Sequence, residues 1–390
     1  MDFSLNDEQR ILLGIIERFI ESELRPLENE VERAGRLPGE HAERIFKLSK
    51  SMGLYALNMP SELGGGGLNT LDWILAEEQF GRTSDILVRR AFGNAYEILL
   101  ECEGEQVRRW LAPVVSGERT CSIALTEAGA GSDAAGISTR ARRKGSGWVL
   151  SGGKNFISDA HYSDFFVVTA VTRPEDGRDG ISAFIVDKSA PGVEVGAEQE
   201  MMGLRGTSHA QIYFNDVRLE PECLLGREGE GLKLAYATLG RVRLAQVAAR
   251  AIGKASRILD LAVEHASCRR QFGRRIGDFQ MIQAMLADSA AEIAAARLNL
   301  YHAAWLVDQG RQMNEKISMV KLQASEMLCR VADRAVQIFG GSGYEKSLPI
   351  ERYYRDSRIF RIFDGTSEIH RSVLARGILR GKGELYAWRE

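Results

Sequence analysis

Apolar positions change texture twice along the chain. After Asn6, which suits a helix N-cap, Leu12, Ile15, Ile16, Phe19 and Ile20 recur at helical spacing until Pro26 stops the pattern. A second periodic segment runs from about Ala42 to Met52 and breaks into Pro60-Ser61-Glu62-Leu63-Gly64-Gly65-Gly66-Gly67. Further helical patterns cover roughly Thr70 to Glu78 and Ala95 to Val115. From Cys121 short alternating or β-branched runs sit between turn signals: Cys121 to Leu125, Trp148 to Leu150, Phe165 to Val171, Ile181 to Val186 and Gln211 to Phe214. Five or more such runs imply a β-barrel or sandwich of about 100 residues. Beyond Pro221 no proline occurs until Pro349. Proline is expelled from helix interiors, so this gap predicts long helices over Gly231 to Ser267, Gln280 to Gln309 and Asn314 to Ile338. The predicted chain is α+β and multidomain. Residues 1–119 form a helical domain, 120–226 a central β-barrel and 227–390 a four-helix bundle.

Charge narrows the partners. The 51 basic and 53 acidic residues nearly cancel, which leaves no overall field for nucleic acid or an anionic membrane. A small molecule or another protein is the expected partner. No 18-residue apolar run appears, and the acidic start Met1-Asp2-Phe3-Ser4 lacks the apolar stretch of a secretory signal, so neither membrane insertion nor export is expected. Five scattered cysteines without a CxxC fit a reduced, cytoplasmic setting and give no zinc pattern; no metal site is expected.

Two stretches carry candidate chemistry. Ile362-Phe363-Asp364-Gly365-Thr366-Ser367-Glu368 joins a carboxylate, a flexible glycine, two hydroxyls and a second acid. These are the parts of a reaction site, but Thr366 or Ser367 would equally serve as an ordinary helix cap. The second stretch is Leu125-Thr126-Glu127-Ala128-Gly129-Ala130-Gly131-Ser132-Asp133, where a strand ends. Its small residues let backbone N-H groups converge on an anion or a flat ring, or else make a mobile surface turn.

The second stretch resembles the first signature of the acyl-CoA dehydrogenase family, and the resemblance continues to the C-terminus. Lys154-Asn155-Phe156-Ile157-Ser158 looks like the family's stretch beside the flavin. Arg269-Arg270-Gln271-Phe272-Gly273 with Gln280 is similar to its R-x-x-F-G…Q segment, and Gln337-Ile338-Phe339-Gly340-Gly341 to its second signature. Phe363-Asp364-Gly365-Thr366-Ser367 resembles its catalytic loop. The resemblance implies FAD held between barrel and bundle, in a homotetramer built from dimers. Ile123, Leu125, Thr126, Gly131, Ser132, Phe156, Ile157 and Ser158 would line the flavin, with Ser132 also touching acyl-CoA. Arg269, Gln271, Phe272, Gln280, Gln337, Gly340 and Gly341 would reach the FAD of a neighbouring subunit. Thr366, Ser367 and Glu368 would lie on the cofactor, Gly365 and Arg243 on the substrate. The implied reaction takes the α-proton of an acyl-CoA or acyl-carrier-protein thioester to a base while the β-hydrogen leaves as hydride, and passes electrons to an electron-transfer flavoprotein.

The match departs at the base. The family's commonest residue there is Glu, and Asp364 is shorter by one methylene, roughly 1.5 Å. An error of about 1 Å in a reacting pair costs about a hundredfold. A nitroalkane oxidase of the same fold places Asp there, which keeps that chemistry as the alternative. Some relatives carry the base near Arg241-Val242-Arg243-Leu244, where this chain has no carboxylate, so Asp364 is favoured. Arg243 is either a substrate contact or an exposed or ion-paired helix arginine. Glu97 is either a polar pocket residue or a water-facing charge. His370 is read as capping or solvent-facing, and His209 has no assigned role.

Overall fold

The structure is a computed structural model that describes residues 4–93, 95–311, 313–381 and 385–386; Met1 to Phe3, the head of the acidic start, lie outside them. The N-terminal part holds α1 (Asp7–Phe19), α2 (Glu28–Ala34), α3 (Gly39–Ser51), α4 (Thr70–Phe80), α5 (Asp85–Phe92) and α6 (Ala112–Ser116). Asn6 caps α1 as expected: its side chain accepts from the Gln9 N-H at 2.8 Å, and the Gln9 side chain accepts from the Asn6 N-H at 3.0 Å. The single helix expected from Ala95 to Val115 is instead a 3-10 turn at Glu97–Glu101, a π turn at Val107–Leu111 and α6. Gly104, in the left-handed region at φ 53, lies between the two turns, and both send apolar residues into the core, Ile98 and Leu99 from the first and Trp110 from the second.

The middle part is one folded sheet of β1 (Cys121–Ala124), β2 (Arg140–Lys144), β3 (Gly147–Ser158), β4 (Phe165–Val171), β5 (Ile181–Asp187), β6 (Val193–Glu198), β7 (His209–Leu219) and β8 (Leu224–Leu225). Strand order is β6-β7-β3-β2-β4-β5-β8, with β1 parallel to β4. A single residue pair, Arg140 with Val171, joins β2 to β4, so the sheet folds there and its halves face each other. Their shared core includes Trp148 against Phe184, ring centroids 5.3 Å apart. The sheet stands where the barrel is expected, but its end strands β6 and β8 share no ladder among the described residues.

The C-terminal part runs α7 (Gly231–Val242), a π turn (Arg243–Ala249), α8 (Arg250–Cys268), a hairpin of β9 (Arg270–Gln271) and β10 (Arg274–Arg275), α9 (Gln280–Asp308), α10 (Asn314–Phe339), α11 (Gly341–Tyr344), α12 (Ile350–Arg358) and α13 (Ser367–Leu379). Helices α8, α9 and α13 all pack on α10. The proline-free gap thus yields the long helices it predicts, except that the first is interrupted by the π turn. Helix α4 joins this bundle, placing Trp73 and Ile74 in its core. The crossing with α8 is so close that a Cβ on Gly253 would lie 1.8 Å from the Glu78 carbonyl oxygen, so only glycine fits. Charged groups buried at the same junction are paired: Arg250 with Glu77 at 2.6 Å, and Arg352 with Glu28 at 2.8 Å.

Candidate active site

Asp364 lies in the link between the 3-10 turn Ile359–Arg361 and α13. It takes the left-handed region, φ 52, and Gly365 follows at φ 96. Asp tolerates this region better than most residues with a side chain, and a Cβ on Gly365 would lie 2.8 Å from His370 Nε2. Thr366 then caps α13, its Oγ1 accepting from the Ile369 N-H at 3.2 Å. The capping and reaction-site readings of this stretch are therefore compatible, because different residues perform them.

Three side chains clamp the loop by its carbonyls. Arg243 Nε donates to the Asp364 carbonyl oxygen at 2.8 Å, Lys321 Nζ to that of Gly365 at 2.7 Å, and His370 Nε2 lies 3.2 Å from that of Asp364. His370 is buried, so the solvent-facing expectation is corrected. Burial, with Lys321 and Arg243 nearby, lowers its pKa to about 4, so the ring is neutral and Nε2 must carry the proton that meets the carbonyl. Burial likewise lowers Lys321 to about 8. Arg243 sits where the π turn begins, and its side chain points at the base loop rather than into water.

The Asp364 carboxylate accepts no hydrogen bond from the described residues. Burial raises its pKa; the charges of Arg243, Lys321 and Arg89 oppose the rise without cancelling it. Part of the residue remains accessible, so it is walled by protein yet open on one side. Tyr96 and Arg89 share this condition, and the charge of Asp364 reaches Tyr96, whose pKa burial raises. Glu97, next in the chain, is not water-facing: it pairs with Arg241 at 2.9 Å and lies 3.4 Å from Asn58 Nδ2. Burial raises its pKa against both partners.

The glycine loop is tied to the end of β3. The Asn155 N-H donates to the Thr126 carbonyl oxygen at 2.8 Å, tying the loop to a bulge at Asn155 and Phe156, where the β3–β7 register shifts. Phe156 adopts φ 58 and leaves 55% of its surface exposed. Beneath, buried Lys154 donates to Glu127 at 2.8 Å and to the Leu125 carbonyl oxygen at 3.0 Å. Glu127 also accepts from the Ser138 N-H and hydroxyl, both at 2.7 Å. Burial would raise Glu127, yet Lys154 and Ser138 outweigh it and hold its pKa at about 2; burial of Lys154 prevails over Glu127 and lowers the ammonium to about 8. A Cβ on Gly129 or Gly131 would meet nothing within 4 Å, so the need for glycine there is not set by packing within the chain. An exposed aromatic ring, the nearby Thr126 and Ser158 hydroxyls and an unencumbered backbone suit a flat heteroaromatic cofactor such as a flavin.

Asp159 connects the two regions. It follows Ser158 and binds Arg89 at 2.9 Å and Arg90 at 2.7 Å. Arg89, bound to Asp159 next to Ser158, also acts on Asp364, so the end of β3 and the Asp364 loop lie near one another. His209, paired with Ser158 across β3 and β7, is half-buried; desolvation and the Arg89 charge lower its pKa to about 4. The remaining expected residues form a separate group. Arg269, Gln271, Phe272, Gln280, Gln337, Gly340 and Gly341 are all exposed at one end of the bundle, where His265 stacks on Phe339 at 4.1 Å. Ser132 and Glu368 are exposed, and Ser367 is buried. Sequence reasoning missed Arg89, Tyr96 and Lys321, whose relation to Asp364 arises from contacts far apart in the chain. A cavity of about 700 Å³, lined by Glu101, Glu103, Glu105, Glu222 and Glu230 together with Arg227 and Lys233, contains none of these residues, and its carboxylates outnumber its cations.

A carboxylate without a hydrogen-bond partner on a loop held by its carbonyls is an arrangement suited to an enzyme that abstracts protons. The chain belongs to the acyl-CoA dehydrogenase family: models of its N-terminal, middle and C-terminal domains match residues 6–118, 122–217 and 229–379. It is 38% identical over 380 residues to the short-chain specific acyl-CoA dehydrogenase of Homo sapiens mitochondria, covering 96% of this chain and 91% of the relative. It is 37% identical over 380 residues to the caffeyl-CoA reductase-Etf complex subunit CarC of Acetobacterium woodii, covering 96% and 99%. Among solved structures, the FAD complex of PigA superposes with a TM-score of 0.90 at 29% identity, covering 98% of this chain and 100% of PigA. Among the described residues no helix is long and apolar enough to cross a membrane.

Proposed function

We propose that this protein catalyses FAD-dependent α,β-dehydrogenation of an acyl-CoA thioester, with Asp364 as the base. The observation that carries the assignment is a carboxylate left without a partner, while its own loop is held by Arg243, Lys321 and His370. Such a group is positioned by its backbone and free to take a proton. FAD, when bound, supplies the acceptor for the β-hydrogen as hydride. Asp364 takes the α-proton, and the neutral acid formed is the state that burial favours. The Asp364 N-H has no acceptor among the described residues and stands ready for the thioester oxygen as enolate charge develops.

In this reading Ile123, Leu125, Thr126, Gly131, Phe156, Ile157 and Ser158 line the flavin, with Thr366, Ser367 and Glu368 on its other side. Ser132, Arg243 and Gly365 border the substrate. Arg269, Gln271, Phe272, Gln280, Gln337, Gly340 and Gly341 reach the cofactor of another copy in a homotetramer. Support comes from Phe272, 93% exposed at the hairpin tip, and from Met281, Leu298 and Trp305, exposed on α9. The electron partner is an electron-transfer flavoprotein, as the name of the Acetobacterium relative indicates for that protein. A reducing compartment such as the cytoplasm suits its five unpaired cysteines.

The test is anaerobic mixing of FAD-loaded protein with acyl-CoAs of different chain length while flavin absorbance is followed. Bleaching by one or more of them is expected. Bleaching by none, together with oxidation of nitroethane in air, would replace this reading by nitroalkane oxidation.

A further inference from the structure

Asp159 is held through its backbone and its side chain together. It is 7% exposed, adopts the left-handed region at φ 57 and directly follows Ser158 at the end of β3. Its N-H donates to the Ser208 carbonyl oxygen at 2.7 Å. Its own carbonyl oxygen accepts from the N-H groups of Tyr162 and Ser163, both at 2.9 Å, and from the Ser163 hydroxyl at 3.0 Å. From this fixed backbone the carboxylate reaches α5, where each oxygen takes one arginine: Oδ2 accepts from Arg89 Nη1 at 2.9 Å and Oδ1 from Arg90 Nη2 at 2.7 Å. A turn at a strand end needs no buried charge, which is costly to desolvate.

Two cations share this one anion, so a positive charge is left over at the junction. Part of it is spread over the Tyr162 ring, whose centroid lies 3.8 Å from Arg90. Arg89 is the arginine whose charge acts on Asp364, together with Arg243 from the π turn and Lys321 from α10. The remaining ionisable groups here are engaged or neutral. Asp85, which also acts on Arg89, pairs with Lys254 at 3.4 Å, and Glu326, near Lys321, pairs with Arg361 at 3.0 Å. Burial keeps the proton on Tyr96, His209 and His370 are neutral at pH 7, and the Tyr236 phenol faces Arg243. Opposite charges bound together oppose one another's fields, so Asp159 offsets Arg89.

We infer that Asp159 is a positioning residue for the base: by binding Arg89 and Arg90 together, it fixes where Arg89 stands and how much of its charge reaches Asp364. Held this way, Arg89 ties the helices to the sheet without turning Asp364 into a weak base. The inference rests on the dehydrogenase reading above and adds how the basicity of that site is set.

The experiment follows anaerobic flavin reduction against pH in FAD-loaded protein, with an acyl-CoA that bleaches the wild type. Asp159→Asn removes the offset, so Arg89 favours the ionised base more strongly. The acid limb should move to lower pH, and the plateau rate above it should fall, because a weaker base abstracts the proton more slowly. Arg89→Gln should move the limb to higher pH, and adding Asp159→Asn to it should produce no further shift, since Asp159 acts through Arg89. If Asp159→Asn does not fold, Arg90→Gln decides: it leaves Asp159 to Arg89 alone, so the limb should move to higher pH. A limb left in place in Asp159→Asn or in Arg90→Gln marks residues that only hold the fold. That result, or an equal shift from Asp159→Asn with and without Arg89, overturns the inference and leaves the dehydrogenase reading intact. Bleaching of the flavin by no acyl-CoA overturns both.

Discussion

At the scale of the residue, the shorter base is matched by a backbone that suits it. Asp364 occupies the left-handed region, where a short polar side chain is tolerated. Its basicity is set by burial working against three cations. The sign of the pH effect follows from this. As the base proposed above, Asp364 acts in its ionised form, so reduction should fall as pH falls through a pKa raised above the ordinary aspartate range. Arg243→Gln keeps a donor for the Asp364 carbonyl but removes one opposing charge, so its acid limb should lie at higher pH than the wild type's. A limb that stays fixed or moves to lower pH in stopped-flow reduction would show that Arg243 does not act on this carboxylate. Arg243 itself shows what sequence leaves open. Its residue type allowed a substrate contact or an exposed or ion-paired helix arginine; in the fold it also holds the Asp364 carbonyl, a role with no sequence signature.

At the scale of the element, the glycine loop depends on the strand beside it. Lys154 and Glu127 are buried together, and each bonds the backbone of the loop region. Removing one partner of a buried pair strands the other, typically at a cost of about 3–5 kcal/mol. Lys154→Met should therefore lower the unfolding free energy by about that much and weaken FAD retention, and adding Glu127→Gln should recover part of both. A double variant no better than the single one, in denaturant unfolding and flavin content, would contradict the coupling. Glu127, held at about 2, stabilises the fold at neutral pH, and this contribution disappears as pH falls from the ordinary carboxylate range towards 2. The loop was legible in the sequence because glycine and hydroxyl residues mark it locally. Strand β3 was legible only at its start, since Gly152 and Gly153 interrupt the alternation that β7 pairing nevertheless sustains. Strand β2, Arg-Ala-Arg-Arg-Lys, offers almost no apolar pattern, and its place is fixed by pairing with β3. Helix α5 was missed, although it supplies Arg89.

At the scale of the whole molecule, three parts of the chain meet around Asp364. Arg89 and Tyr96 come from the N-terminal helices, Ser158 and Asp159 from the sheet, and Asp364 from the bundle. The buried pairs Arg250 with Glu77 and Arg352 with Glu28 hold the first part to the third, so they fix the geometry of the site from a distance. Texture along the chain showed the order of these parts, through apolar periodicity and the proline-free gap. It carried no information on how they dock, which is why the cations around Asp364 appear only in the fold. The central claim is that one carboxylate at this junction starts the reaction. Rapid anaerobic mixing of FAD-loaded Asp364→Asn protein with an acyl-CoA that bleaches the wild type tests it most directly. The substitution removes a buried charge, so the variant should fold and retain FAD, and its flavin should stay oxidised over the time in which the wild type is reduced. Reduction at the wild-type rate would place the base elsewhere.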